Sequence, residues 1–254
     1  MSLRATIFAS PMGHDVNRIS QVLAGWLRAS GLFEPTVAGT PPEAAMSIGA
    51  FMKQPALVAD TSLFIFVCPD DAWCDPADRR ALEAAVAGGT PVLFWHGLHP
   101  TYRDWPEAEK MIGLLWRQTA SHGDFNTCRV SIQEKHHPIT AGVPDFDTED
   151  ELFCTLENVR DVPVTVLATA YSDAGRKSRW GHPGTGAHEP VLTAGRYGKA
   201  RTVNFILGHI WTHYTGHGLM ENTTIALQPP QIRTLFLRSC EWAVRGDVID
   251  TRDM

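Results

Sequence analysis

With 254 residues, 44% of them hydrophobic and 20% charged, the chain can bury a full core in one domain and lacks the composition of a disordered protein. A formal charge of −6 and an isoelectric point near 6.0 leave no basic footprint for nucleic acid or an anionic membrane, so a small polar molecule is the expected partner. Five irregularly spaced cysteines suit a reducing compartment, the start MSLRATIFAS has no signal-peptide pattern, and no window nears the roughly 18 apolar residues of a membrane span; a cytoplasmic location is expected.

The first third alternates strands and helices. ATIFAS at 5–10 reads as a short apolar strand, and Val16, Ile19, Val22, Leu23, Trp26 and Leu27 then form one helical stripe. Asp15 is placed to cap that helix and Gly31 to stop it. LFIFVC at 63–68 is apolar on both faces, as a buried parallel strand is. Asp75 and Pro76 open a second helix that Gly88 and Gly89 end, and PVLFW at 91–95 is a third buried strand. This alternation predicts right-handed crossovers and a mostly parallel, doubly wound α/β sheet in a single domain over 1–254.

The rest follows with less regularity. Residues 104–118 carry Ala108, Met111, Ile112, Leu115 and Trp116 at helical spacing, a pattern expected of core. CRVSIQ and VTVLATA read as strands, and residues 190–209 as a hairpin turning near Tyr197-Gly198-Lys199. Residues 229–246 close the chain as an amphipathic helix with Ile232, Leu235, Phe236 and Trp242 inward and Gly246 as its stop. The Gly-rich stretch 172–189 is expected to be a mobile loop able to fold over a ligand.

In doubly wound sheets ligands bind beyond the carboxyl ends of the strands. That rule puts SPMGHD, PDDAW and HGLHP along one edge, where His14, Asp70, Asp71, His96 and His99 could meet. Histidine titrates near neutrality and ligates metals, and eleven of them, mostly in predicted loops, make it the residue to follow. His209, His213 and His217 have i, i+4, i+8 spacing, but the glycines around them argue against one helix, and His209 at a strand end is the better candidate. Asp150 and Glu151 supply carboxylates that a general base or a metal site would need; an acidic helix start or loop is the bland alternative. No cysteine falls at the turn after PVLFW, and no G-x-S-x-G, G-x-G-x-x-G or P-loop is present, so acyl-enzyme, dinucleotide and phosphoryl chemistry lose support.

Taken in order, HGLHP, DWPEAEKMIGLL, SHGDF, HHPITAGVPDFDTEDELF, EPVLTAGRYGKARTVNFILGH and LFLRSCEWAVRG resemble a ThuA-like, trehalose-utilisation domain over almost the whole chain. The resemblance implies a flavodoxin-like three-layer sandwich of the class I glutamine amidotransferase-like superfamily, with a histidine where amidotransferases carry their nucleophilic cysteine, and hence no glutaminase activity. It also implies carbohydrate metabolism. The resulting expectation is proton transfer of isomerase or hydrolase type on a sugar or keto-sugar. His96, Asp150 and Glu151 are the expected catalytic groups; His14, Trp95, His99, His122 and His209 are expected to bind substrate, with Trp180 an alternative aromatic face and His137 a further matching position. A divalent zinc or manganese ion on His96 and His209 would make the protein a metal-dependent hydrolase, and a non-catalytic binding module is the remaining alternative. Trp211 and Tyr214 leave room for a homo-oligomeric contact.

Overall fold

The computed structural model describes residues 2–10, 14–67, 75–96, 102–178, 181–210 and 224–251. In chain order these form β1 (Leu3–Ala9), α1 (Val16–Ala29), β2 (Phe33–Gly39), α2 (Ile48–Met52), α3 (Pro55–Asp60), β3 (Leu63–Val67), α4 (Pro76–Gly88), β4 (Val92–Trp95) and α5 (Pro106–Ile112). There follow β5 (Ser121–His122), β6 (Asn126–Ile132), β7 (Phe146–Asp150), β8 (Phe153–Cys154), β9 (Val164–Tyr171), β10 (His188–Tyr197), β11 (Ala200–Phe205), a 3-10 turn at Ile225–Leu227 and α6 (Pro230–Arg245). β5 and β8 pair as a small separate ribbon; the other nine strands make one sheet in the order β2-β1-β3-β4-β11-β10-β9-β6-β7.

The first five strands of that order are parallel and keep the 2-1-3-4-5 arrangement of flavodoxin-like folds. From β11 onward every pairing is antiparallel, so the sheet is mixed, with its parallel strands gathered at one side. The hairpin is the device that joins the halves: β10 runs back along β11, and β11 re-enters beside β4 in parallel register.

Side chains alternate across the central strands and so divide the core. Ile7, Ile65, Leu93 and Trp95 face α1 and α6, where Ile19, Leu23, Leu235 and Phe236 meet them. Phe8, Phe64, Phe66 and Phe94 face the other layer and pack with Phe51, Leu82, Val86 and Met111 of α2, α4 and α5. The helix limits follow the capping chemistry: Asp15 accepts from the Arg18 amide at 2.9 Å, and Asp75 from the Ala77 and Asp78 amides at 2.8 and 2.9 Å.

Two expectations need correction. The helix over 104–118 is only α5, because Gly113 turns the chain at φ +81° and leaves no space for a side chain, with Val164 Cγ1 2.6 Å from where a Cβ would stand. Ala108, Met111, Ile112 and Leu115 are nevertheless buried. The stretch 172–189 is tied down in its described part: Ser172 donates to Ala187 O at 2.9 Å, Gly184 to Arg176 O at 2.9 Å and Ser178 to His182 O at 2.8 Å, and β10 already begins at His188. Finally, β2 and the short elements α2, α3, β5, β7 and β8 carried no pattern strong enough to predict.

Candidate active site

β1, β4 and β11 run parallel, and each is followed at its carboxyl end by a histidine: His14, His96 and His209. All three are buried, and one potential ligand nitrogen from each lies within 4.8 Å of the other two. Their ring centroids are 5.0 Å (His14 to His96), 4.3 Å (His14 to His209) and 4.7 Å (His96 to His209) apart.

His96 is fixed by β11. Its amide donates to Phe205 O at 2.7 Å, and its Nδ1 lies 2.5 Å from Ile206 O. A carbonyl oxygen only accepts, so this contact places the proton on Nδ1. The residue sits at φ +25°, a conformation that costs a non-glycine residue on the order of 1–3 kcal/mol and persists only where the surroundings hold it. Here the bonds to Phe205 at the end of β11 and to Ile206 just beyond it do so, which is how a histidine occupies the sharp turn after β4.

His209 is placed by Asp150. The Asp150 carboxylate accepts from Gly208 N at 2.5 Å, Glu151 N at 2.8 Å and His209 N at 3.3 Å, tying the end of β7 to the segment after β11. Burial pushes the Asp150 carboxyl up to about 8, although those three amides pull it down. Gly208 must be glycine: its φ is +111°, and a Cβ would stand 2.3 Å from Trp95 Cζ2.

Side chains alternate along residues 150–154. Asp150 therefore serves as a backbone clamp, while its neighbour Glu151 reaches the histidines: Oε2 lies 3.0 Å from His209 Nδ1, and Oε1 lies 3.5 Å from His122 Nδ1. A carboxylate at that distance favours the proton on His209 Nδ1 and leaves Nε2 basic. His122, on β5, also approaches Gly123 O at 2.8 Å and is only partly buried, so Glu151 joins the sealed cluster to the surface. Two residues not anticipated as site groups complete the wall. Phe153 lies 4.8 Å from the His96 ring, and Trp116 stands edge-on to Phe153 at 5.1 Å and 5.6 Å from His122. The helical spacing of Trp116 pointed to core; only the arrest of α5 brings it here.

Other expected positions lie elsewhere. Trp95 is not on a ligand-facing wall: its ring stacks on Phe205 at 4.5 Å and meets Phe236 edge-on at 5.3 Å in the α1/α6 core, because the strand alternation turns it away from the site. His137 packs on Trp242 at 4.9 Å and accepts from Ile139 N, at the opposite edge of the sheet where β9 begins and β10 ends. Asp70, Asp71, His99, Trp180, Trp211, His213, Tyr214 and His217 lie outside the described residues, as do Cys68 and Cys74. Cys128, Cys154 and Cys240 are buried, and desolvation pushes each thiol up, Cys128 to about 12, so none is an activated nucleophile.

A cavity of about 460 Å³ opens at the same sheet edge, where β6 begins and β9 ends. Gly123 and Leu152, the chain neighbours of His122 and Glu151, form part of its wall, and Asn126, Tyr171, Arg176 and His182 line the remainder. Tyr171 is one of three large hydrophobic side chains exposed among the described residues. No helix there is long and apolar enough to cross a membrane.

Comparison with known proteins agrees with this architecture. Solved structures that resemble it include a ThuA-like protein from Parabacteroides merdae, at TM-score 0.77 and 24% identity over 98% of this chain and 92% of that one. Another is a ThuA-like protein from Bacteroides uniformis, at TM-score 0.67 and 13% identity over 96% and 92%. A cytoplasmic protein from Salmonella typhimurium follows at TM-score 0.62 and 12% identity, over 96% and 100%. At these identities the likeness speaks for the fold. A search of curated proteins finds no match. The ThuA model, described as trehalose utilisation, matches residues 4–243, and the chain therefore belongs to the ThuA family.

Proposed function

We propose that the protein is a cytoplasmic enzyme of carbohydrate utilisation that moves a proton on a sugar or keto-sugar, in an isomerisation or a hydrolysis, at the His96–Glu151 centre. The observation that carries the reading is the convergence of His14, His96, His209 and Glu151 from four separate places in the chain into one buried cluster. His96 Nδ1 lies 2.5 Å from a carbonyl oxygen and His209 Nδ1 lies 3.0 Å from the Glu151 carboxylate, contacts that orient both rings for acid–base work. His96 Nε2 takes or returns the proton, Glu151 stabilises the charge that develops on His209, and His122 relays to solvent. The neighbouring cavity holds the rest of the substrate, with Tyr171 offering a face to the apolar side of a sugar ring and Asn126, Arg176 and His182 meeting its hydroxyl groups.

The test is turnover of a panel of disaccharides, their keto derivatives and simple polyols, followed by NMR. His96→Gln and Glu151→Gln should each lower turnover by about 10²–10⁴-fold, the usual contribution of a positioned acid or base, while the circular dichroism spectrum is unchanged. Turnover of wild-type magnitude in His96→Gln would reject this role.

A further inference from the structure

From the same cluster we infer a mononuclear divalent-metal centre, with His14, His96 and His209 as its three protein ligands and Glu151 as an outer carboxylate. This rests on the active-site reading only for where the substrate binds; it replaces His96 as the base, because an imidazole nitrogen bound to a metal has no lone pair left to take a proton, and the ligand set stands on geometry. Three buried imidazoles that follow three strand ends, each with a ligand nitrogen within 4.8 Å of the others, supply a compact three-histidine donor set. Metal–nitrogen bonds of about 2.0–2.1 Å in tetrahedral geometry put ligand nitrogens ~3.3 Å apart, so small side-chain rotations close the triangle on an ion. The surrounding contacts are those a ligating histidine uses. His96 Nδ1 lies 2.5 Å from the Ile206 carbonyl oxygen and His209 Nδ1 lies 3.0 Å from Glu151, contacts that orient both rings. Asp150 holds the Gly208–His209 backbone, so it sets where the third ligand stands without being one.

The donor chemistry selects the ion. Three imidazole nitrogens and an outer carboxylate suit zinc, and are poor in the oxygen ligands that manganese or magnesium prefers. A catalytic zinc keeps its fourth position for water or a substrate oxygen, and a sugar carbonyl or hydroxyl group fits that place.

The experiment uses full-length protein expressed without a histidine tag and purified without chelator. Metal content by mass spectrometry should give close to one zinc per chain, and replacement by cobalt(II) should give the visible absorption of a tetrahedral nitrogen site. His209→Ala and His14→Ala should lose the ion. Glu151→Gln keeps all three ligands, and should still bind zinc about 10–100-fold more weakly in competition with a chromophoric chelator. Failure of folded wild-type protein to bind zinc or cobalt at micromolar concentration overturns the centre, as does unchanged affinity in all three variants. The two readings fail separately: sugar turnover by chelator-stripped protein at the full rate removes the metal and keeps the acid–base site, whereas stoichiometric zinc without binding of any sugar in the panel keeps the metal and removes the proposed substrate class.

Discussion

The turn after β4 shows how much one backbone position decides. In this sheet the residue there projects over the strand ends, and the positive φ of His96 is tolerated because β11 holds both its amide and its ring. The residue before it has the opposite fate. Trp95 looks like a sugar platform in the sequence, yet it is core, so Trp95→Phe should lower stability by on the order of 1–2 kcal/mol through lost packing and leave ligand affinity of the folded protein unchanged. Denaturant unfolding and a binding titration read the two effects separately. Gly208→Ala should be more severe, at about 2–5 kcal/mol, because it combines a strained φ with a Cβ pressed into the Trp95 ring. Loss of stability in Gly208→Ala no greater than in Trp95→Phe would mean that the close approach of these two residues relaxes at little cost.

At the scale of elements, α6 illustrates a polar anchor within an apolar layer. Glu241 on its inner side accepts from the Asp250 amide at 2.9 Å and from the Thr251 amide and hydroxyl at 2.8 Å each, and meets Arg245 at 2.8 Å. Burial opposes its charge, but these donors outweigh burial and hold the carboxyl below its ordinary value of 4.5. A lowered value in the folded state means that the stabilisation is complete above the unfolded value near 4.5 and disappears as pH falls through the folded one. Glu241→Gln should therefore cost about 1–3 kcal/mol at pH 7, with the difference from wild type shrinking below about pH 4. Thermal unfolding from pH 3 to 7 measures it; a constant difference across that range would remove the carboxylate's charge from the explanation. The other elements divide by the strength of their local signals. α1, α4 and α6 were legible because an apolar stripe, a capping aspartate or an entry proline, and a terminal glycine agree at their ends. α5 was legible in its position but not in its end, because the arrest at Gly113 depends on Val164, about fifty residues away in sequence.

Across the whole molecule, the three histidines proposed as ligands follow β1, β4 and β11, so an ion held by them would be tied to the core of the sheet. A metal that binds the folded chain and not the unfolded one stabilises it by mass action, by about 2.7 kcal/mol at a free concentration 100 times its dissociation constant. Added zinc should accordingly raise the unfolding temperature of the wild type and leave that of His209→Ala in place, as differential scanning fluorimetry would show. An equal rise in both would assign the effect to other sites.

The sequence by itself determined the α/β class and the parallel half of the sheet, because these follow from hydrophobic period, caps and short apolar strands that act over a few residues, and its ordered motifs pointed to the family. It also pointed to His14, His96, Glu151 and His209. Only the tertiary structure decided that these four meet, that Asp150 clamps backbone while its neighbour Glu151 faces the histidines, that Trp95 is core while Trp116 packs on the core and also touches His122, and that the sheet turns antiparallel beyond β11. The reason is one of range. Local patterns are set by neighbours along the chain, whereas the facing of a side chain at a strand end depends on register and on contacts from segments fifty to two hundred residues away, which no short window of sequence contains.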